Sequence, residues 1–226
     1  MRACPACGDS RWTDAFETDG FQLSRCRACT HLFLSSGVDS NALASAYGRG
    51  YYEANDAEPG NGYRDYLGDS ARRISGFEWR LRQIEAHCQE WGRLLDFGCA
   101  VGLFVKVAAD AGWQALGYER SEWAAEYGRN HLGVQVHVGS MAEALTDAPP
   151  FDVVTMWDVL EHLEDPGESL RWVRSRLRSS GLLALNTVNA GSLGARLAGR
   201  RLRHIAPPHH LQYFSRRSLA EANGLC

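Results

Sequence analysis

The chain has 226 residues, of which 45% are hydrophobic and 23% charged, a composition that can bury a core without covalent staples. Lys+Arg 24 against Asp+Glu 27 gives a formal charge of −3, which lacks the basic excess of a phosphate-backbone binder and disfavours nucleic acid as a partner. The opening residues contain no apolar stretch behind a positive segment, and no run approaches the ~18–20 apolar residues of a bilayer span, so a cytoplasmic protein without a membrane partner is expected.

In a reducing compartment, cysteine spacing is read as metal or redox chemistry before disulfides. Cys4-x2-Cys7 and Cys26-x2-Cys29, eighteen residues apart, have the spacing of two knuckles that each wrap one side of a tetrahedral zinc ion. Pro5 and Gly8 help the first turn, and Trp12, Phe16, Phe21 and Leu23 supply the apolar residues of a small hairpin. Four thiolates close the shell and leave no position for an activated water, so the zinc is structural. His31 is either an alternative ligand or a residue that faces solvent or packs on the ribbon. Residues 1–36, the expected zinc-ribbon-like module, carry four arginines and four acids and have no electrostatic footprint for nucleic acid.

Residues 37–90 read as a linker with N-terminal helices. The segment 37–69 is rich in Gly, Asn, Asp and Tyr, and predicts a short helix and a loop. Its Tyr47, Tyr51, Tyr52, Tyr63 and Tyr66 either pack on the neighbouring domain or form a lid over a ligand. Ile74, Phe77, Leu81, Ile84, Cys88 and Trp91 then recur at the steps of an amphipathic helix. From Arg93, strands and helices alternate: strands at Arg93–Phe97, Gln114–Tyr118, Val134–Val138, Phe151–Met156 and Leu182–Leu185, and helices at Leu103–Ala111, from Ser121 to about Asn130, and Gly167–Leu177. The pattern predicts an α/β fold, a doubly wound parallel sheet with helices on both faces, over residues 91–226.

The first of these strands ends in Leu95-Asp96-Phe97-Gly98-Cys99-Ala100-Val101-Gly102 and opens into a helix. Gly98 lets backbone approach a ligand, and the helix N-terminus offers free N–H groups. The spacing G-x-x-x-G with a preceding acid does not meet the dinucleotide fingerprint, because that acid repels a pyrophosphate but attracts an ammonium. Glu119, at the end of the next strand, suits the two hydroxyls of a ribose. Gly139-Ser140-Met141 follows the third strand, where a hydroxyl and backbone amides can meet an adenine edge. Ribose, adenine and a zwitterionic amino acid together describe S-adenosylmethionine (SAM), whose demethylated product is S-adenosylhomocysteine. The candidate cofactor residues are Asp96, Gly98, Cys99, Gly102, Glu119, Arg120, Ser140 and Met141, with Trp157 and Asp158 after the fourth strand.

These residues make the sequence resemble the class I SAM-dependent methyltransferases, specifically the bacterial group with an N-terminal four-cysteine zinc-ribbon-like segment. The resemblance runs through CPACG and CRACTHLF, YGRGYY, LLDFGCAVGLF, GYERS, FDVVTMWDVLEHLEDP, GLLALNTVN and PPHHLQYFSRRSL. It implies a Rossmann-like sheet with SAM across the carboxyl ends of its strands, Asp96, Gly98 and Gly102 in the glycine motif, Glu119 as the ribose acid and Ser140-Met141 in the adenine loop. Many relatives have an acid where this chain has Ser140, so adenine is held here by backbone and packing. A helix beginning at Ser218 is followed by only a few residues, and the C-terminal antiparallel strand pair usual in the fold is expected to be missing.

Methyl transfer from a sulfonium needs mainly a nucleophile held ~3–3.5 Å from the methyl carbon, and a base only if the acceptor must lose a proton. Trp157-Asp158-Val159-Leu160-Glu161-His162-Leu163 is not the Asn/Asp-Pro-Pro-aromatic turn of DNA amino-methylating enzymes. Glu161 and His162 can form an acid–base pair there, and His209 and His210 lie in the long, basic segment 190–211. An unperturbed imidazole titrates near ~6.5, which points to His162 as base, with His209 or His210 positioning the acceptor. Arg196, Arg200, Arg201 and Arg203 form either a solvated face or a clamp for an anionic acceptor. The leading expectation is a methyltransferase acting on oxygen, nitrogen or carbon of a small molecule or sugar precursor; an RNA base methyltransferase and a non-catalytic SAM- or zinc-binding module are the alternatives. Composition and motifs leave the oligomeric state open.

Overall fold

The computed structural model describes residues 3–36, 52, 66–88, 92–139, 145, 148–202 and 204–224. Most of the 37–65 segment, including Tyr47, Tyr51 and Tyr63, and also Trp91, Ser140, Met141 and Arg203, lies outside these residues. The chain divides into two compact units, one of residues 1–43, 158–174 and 186–226 and the other of residues 44–157 and 175–185. Among the described residues no helix is long and apolar enough to cross a membrane.

The second unit holds the expected α/β sheet. Helix α1 (Ser70–Glu85) buries Phe77, Leu81 and Ile84, the stripe that the three- and four-residue steps predict. The sheet is built from β4 (Arg93–Phe97), β5 (Gln114–Glu119), β6 (Val136–Val138), β7 (Phe151–Trp157) and β8 (Leu177–Asn186) in the order β6-β5-β4-β7-β8. Strand β4 pairs in parallel with β5 on one side and with β7 on the other, and β5 pairs in parallel with β6. Helices α2 (Leu103–Asp110) and α3 (Glu122–Tyr127) make the crossovers from β4 to β5 and from β5 to β6. Ser121 caps α3 by accepting from the Ala124 N–H, as its position predicts, and a π turn at Gly128–Leu132 carries the helix on.

The strand order reverses between β4 and β7, so the carboxyl ends of these two adjacent strands flank the crevice where ligands of doubly wound sheets bind. Leu94, Leu95, Val153 and Val154 are fully buried at the centre of the sheet. Phe77 meets Phe104 of α2 edge to face at 5.5 Å, tying α1 to the same core. Of the dense tyrosines, Tyr52 and Tyr66 pack into this core: their rings meet edge to face at 5.8 Å, and Tyr52 stacks on Trp123 at 5.5 Å. For these two the packing alternative holds rather than the lid.

The first unit contains the hairpin β1 (Trp12–Thr18) and β2 (Phe21–Cys26), then β3 (Leu32–Leu34). A fourth strand, β9 (Gln212–Tyr213), comes from the far end of the chain and pairs antiparallel with β3, Leu32 opposite Tyr213 and Phe33 opposite Gln212. Helix α4 (Pro166–Arg176) precedes β8, and α5 (Leu193–Ala198) and α6 (Arg216–Ala222) flank β9; the Ser215 and Ser218 side chains cap α6 reciprocally. Arg200 and Arg201 are exposed on the turn after α5.

For His31 the packing alternative holds, its ring stacked on Phe33 of the ribbon. It neither faces solvent nor offers itself to a metal, because it is fully buried and both ring nitrogens are engaged. The Gln212 amide nitrogen donates to the Leu163 carbonyl at 2.9 Å, which turns its oxygen toward His31 Nε2, also at 2.9 Å. An amide oxygen only accepts, so Nε2 carries the proton and Nδ1 accepts from the Ser218 hydroxyl at 3.3 Å. Phe214 packs against the imidazole at 4.5 Å between ring centroids. His31→Ala leaves the buried Gln212 amide oxygen without its partner, while Ser218 keeps its bonds to Ser215, and is expected to destabilise this unit by about 1–3 kcal/mol. Hydrogen exchange should speed up across residues 211–218 and stay unchanged in β4 and β5; unchanged exchange at 211–218 would refute the linkage.

Candidate functional site

The glycine turn grows out of β4. The N–H groups of Gly98 and Cys99 both donate to the Tyr118 carbonyl, at 2.8 and 3.1 Å, and Gly102 N–H donates to the Cys99 carbonyl at 2.9 Å. Gly98, Ala100 and Gly102 have φ of 74°, 52° and 84°. A Cβ at Gly102 would lie 2.8 Å from Val134 Cγ2, so both conformation and space require glycine at the N-cap of α2. The turn therefore presents backbone, not side chains, at the carboxyl end of β4.

Two buried carboxylates border it. Glu119, 8% exposed, accepts from Ala100 N–H on Oε2 and from Arg120 and Ser121 N–H on Oε1, each at 2.8 Å. It thereby holds Ala100 in its left-handed conformation, and Oε2 keeps acceptor capacity for a hydroxyl. Asp96, 2% exposed, accepts from Thr155 Oγ1 at 2.6 Å across the β4–β7 pair. Burial pushes its carboxyl up to about 7, offset in part by the Thr155 bond. A protonated or half-protonated acid at this depth is what a cationic ligand group would ionise and pair with.

The other expected cofactor residues are placed unequally. Cys99 turns its thiol into the core beside Gly117, where an added Cβ would stand 2.5 Å from its Sγ, and burial pushes the thiol well above its usual value. Only its backbone borders the turn. Arg120 contributes its N–H to Glu119 while its side chain is exposed. Trp157 ends β7 with Arg80 over its ring at 4.6 Å and Phe104 edge-on at 5.4 Å. Its buried indole Nε1–H has no partner among the described protein atoms, a donor that a ligand at this strand end would satisfy. Backbone amides, two acids and an orphan donor fit the amino-acid and ribose parts of SAM.

The first unit continues the chain from Asp158. Asp158 has φ 55°, and Asn186 holds it at both ends, accepting from its N–H at 3.1 Å and donating to Oδ1. Glu161 Oε2 accepts from Thr187 Oγ1 at 2.9 Å. His162 Nδ1 lies 2.8 Å from the His209 carbonyl, and the His162 and His210 rings meet edge to face at 4.8 Å. The Glu161 carbonyl accepts from Leu211 N–H at 2.7 Å, fixing the histidine segment against the turn. Glu161, His162 and His210 lie close together, and the His209 carbonyl is the group that engages His162 Nδ1. Burial lowers His162 to about 3 and raises Glu161 to about 7, so His162 takes up a proton far less readily than the unperturbed imidazole expected from sequence. Asn186 and Thr187, which position two of these acids, were not singled out in the sequence; their place directly after an apolar strand is the only signal.

The four N-terminal cysteines form a second centre. Their Sγ atoms all lie within 4.8 Å of one another, with Cys4–Cys29 at 3.7 Å and Cys7–Cys26 at 3.6 Å. Thiolates ~2.3 Å from a tetrahedral zinc stand about 3.8 Å apart, so the cluster has the dimensions of a zinc site and is far too open for disulfides. Each knuckle closes on a left-handed residue, Gly8 after Cys7 and Thr30 after Cys29.

Replacing Cys4 and Cys29 together with Ser is expected to lower the zinc content by one ion per chain relative to wild type by elemental analysis; an unchanged zinc content would refute the ligand set. For Asp96 the folded pKa lies above the usual 3.8, so the folded state holds its proton longer than the unfolded chain does. Its effect is absent below about pH 4, and stability is lost as pH rises through about 7. Asp96→Asn should therefore melt several degrees above wild type at pH 8, with the difference vanishing toward pH 4. Parallel melting curves across that range would contradict it.

A family model described as a methyltransferase domain matches residues 66–224. The ubiquinone biosynthesis O-methyltransferase of Azoarcus sp. (strain BH72) is 33% identical over 117 residues, covering 49% of this chain and 50% of that protein. The chain spans about half the length of the curated relatives it matches. Among solved structures, the PH0226 protein of Pyrococcus horikoshii OT3 superposes with a TM-score of 0.57 at 19% identity, over 77% of this chain and 84% of that one. A SAM-dependent methyltransferase from Archaeoglobus fulgidus gives 0.55 at 20% identity, over 71% and 72%. These two share the fold, and the match across residues 66–224, well over half of the sequence, places this chain in the methyltransferase-domain family.

Proposed function

We propose that this chain transfers the methyl group of SAM to a hydroxyl oxygen of a small-molecule acceptor. The observation that carries this reading is the left-handed glycine turn flanked by two buried carboxylates, Asp96 and Glu119, at a strand-order reversal within a methyltransferase-domain match. When bound, SAM supplies a methyl carbon activated by its sulfonium. Asp96 is assigned to the ammonium, Glu119 Oε2 to the ribose, the Gly98–Gly102 backbone to close approach, and Trp157 Nε1 to an acceptor atom of the ligand. Ser140 and Met141 are assigned to the adenine from sequence alone. The O-methyltransferase relative supports an oxygen acceptor.

A hydroxyl must shed its proton as the new bond forms, which calls for a polar group at the acceptor. We assign that place to Glu161, His162 and His210, with the His209 carbonyl orienting His162; exposed Arg200 and Arg201 suit an anionic acceptor. The cysteine module holds a structural zinc and stabilises the unit that carries these side chains through β3, β9 and His31.

Calorimetry with SAM tests the cofactor assignment. Glu119→Ala should weaken binding by the ~1.5–3 kcal/mol of hydrogen bonds to a charged group, and unchanged affinity would remove Glu119 from the ribose. Transfer of label from SAM to a panel of phenols and sugar hydroxyls tests the reaction. With an accepted substrate, His162→Ala is expected to cut turnover by ~100-fold or more while SAM affinity stays constant.

A further inference from the structure

Glu161 is 2% exposed, and no lysine or arginine forms an ion pair with it among the described residues. A carboxylate at that depth costs several kcal/mol unless a positive charge or full hydrogen bonding compensates it. The Thr187 hydroxyl donates to Oε2 at 2.9 Å and the backbone N–H of Glu161 itself bears on the carboxylate, but neither brings a positive charge. One ligand atom from each of Glu161, His162 and His210 lies within 4.8 Å of the others.

The tautomers of the two imidazoles decide what this cluster can bind. His162 Nδ1 is 2.8 Å from the His209 carbonyl, and His210 Nδ1 is 2.8 Å from the His204 carbonyl. A carbonyl oxygen only accepts, so both Nδ1 atoms carry the ring proton and both neutral rings present an Nε2 lone pair. A hydrogen-bonded acid–base pair would aim an N–H at the carboxylate; here both ring protons are directed to backbone. The resulting set, two lone-pair nitrogens and an oriented carboxylate, is rich in electron pairs. Backbone carbonyls on Nδ1 and a hydroxyl on the carboxylate are also the outer contacts that hold metal-ligating side chains in place.

We propose that Glu161, His162 and His210 bind a divalent first-row transition ion, with open coordination positions that receive an oxygen ligand. Two imidazoles and one carboxylate are the ligand types of zinc and non-haem iron sites that keep such positions. One carboxylate leaves a divalent ion with a net positive charge, which selects a hydroxyl or oxyanion ligand and eases loss of its proton to solvent. Asp158, whose charge bears on both Glu161 and His210, adds negative potential around the ion. The cation site itself stands on the cluster's geometry, and only the identity of its oxygen ligand rests on the methyl-transfer reading.

The test uses the full chain with zinc in its cysteine module, saturated with Co2+ and freed of unbound ion by gel filtration. Wild type should retain two metal ions per chain, the second showing cobalt ligand-field absorption without thiolate charge transfer. His210→Ala and Glu161→Gln should each retain one, with Co2+ affinity lowered roughly 100-fold or more, and Thr187→Val should lower it ~10-fold. SAM affinity, measured on the same samples, reports that the variants are folded. A single ion in wild type, or equal Co2+ binding by wild type and His210→Ala, would overturn the site. Methyl transfer with no second ion would defeat this proposal alone, and Co2+ binding without SAM binding would defeat the methyl-transfer reading alone.

Discussion

The side chain of Gln212 joins three stretches of the first unit that are remote in sequence. Its oxygen fixes the tautomer of His31 in the cysteine module, its nitrogen donates to the Leu163 carbonyl after the histidine turn, and its backbone belongs to the strand that extends the ribbon's sheet. A buried amide must satisfy both its donor and its acceptor, and this one does so only when all three segments are in place. The zinc ribbon is consequently part of the unit that carries Glu161, His162 and His210. The ribbon's β3 pairs with β9, whose Gln212 bonds both His31 and the Leu163 carbonyl next to the polar cluster.

The second unit solves a different problem, holding two acids out of water beside the glycine turn. Parallel pairing of β4 with β5 and with β7 sets Asp96 between Gly117 and Thr155, and the Thr155 hydroxyl gives the buried carboxyl one partner. Glu119 is satisfied by backbone N–H groups of the loops on either side of it, so the acid proposed for the ribose is also the brace of the glycine turn. Disturbing Glu119 therefore disturbs the backbone that approaches the ligand. Asp96 is the opposite case, a group whose burial is unfavourable in the folded chain and, in the proposed function, is offset by the ammonium of the cofactor.

The polar cluster after β7 follows the same economy. Asn186 and Thr187 emerge together from the end of β8 and orient Asp158 and Glu161 in turn. Asp158 is held at positive φ by a reciprocal bond to Asn186, a conformation that costs about 1–3 kcal/mol and persists where its surroundings over-determine it. Such a cost is understandable where the direction of a carboxylate matters more than the stability of its backbone.

Much of this was legible in the residues. The cysteine spacing, the alternation of apolar runs with capped helices and the Asp-Phe-Gly turn each report on neighbours within a few positions, and such short-range geometry is written locally. The strands came out close to their expected bounds for that reason; β8 begins five residues earlier than its apolar run and takes in the polar positions 178–180. Sequence could not place Gln212–Tyr213 beside Leu32–Phe33, since a two-residue strand has no periodicity and its partner is about 180 residues away. Nor could it choose between solvent and core for His31, or give the ring protons of His162 and His210 their direction. By itself the sequence determined the elements, the cysteine centre and the chemical character of the cofactor turn. Which polar side chains share a dry environment, and hence which tautomers and charges they carry, was decided only by tertiary structure, because burial and hydrogen-bond partnership are properties of the assembled neighbours and not of any one segment.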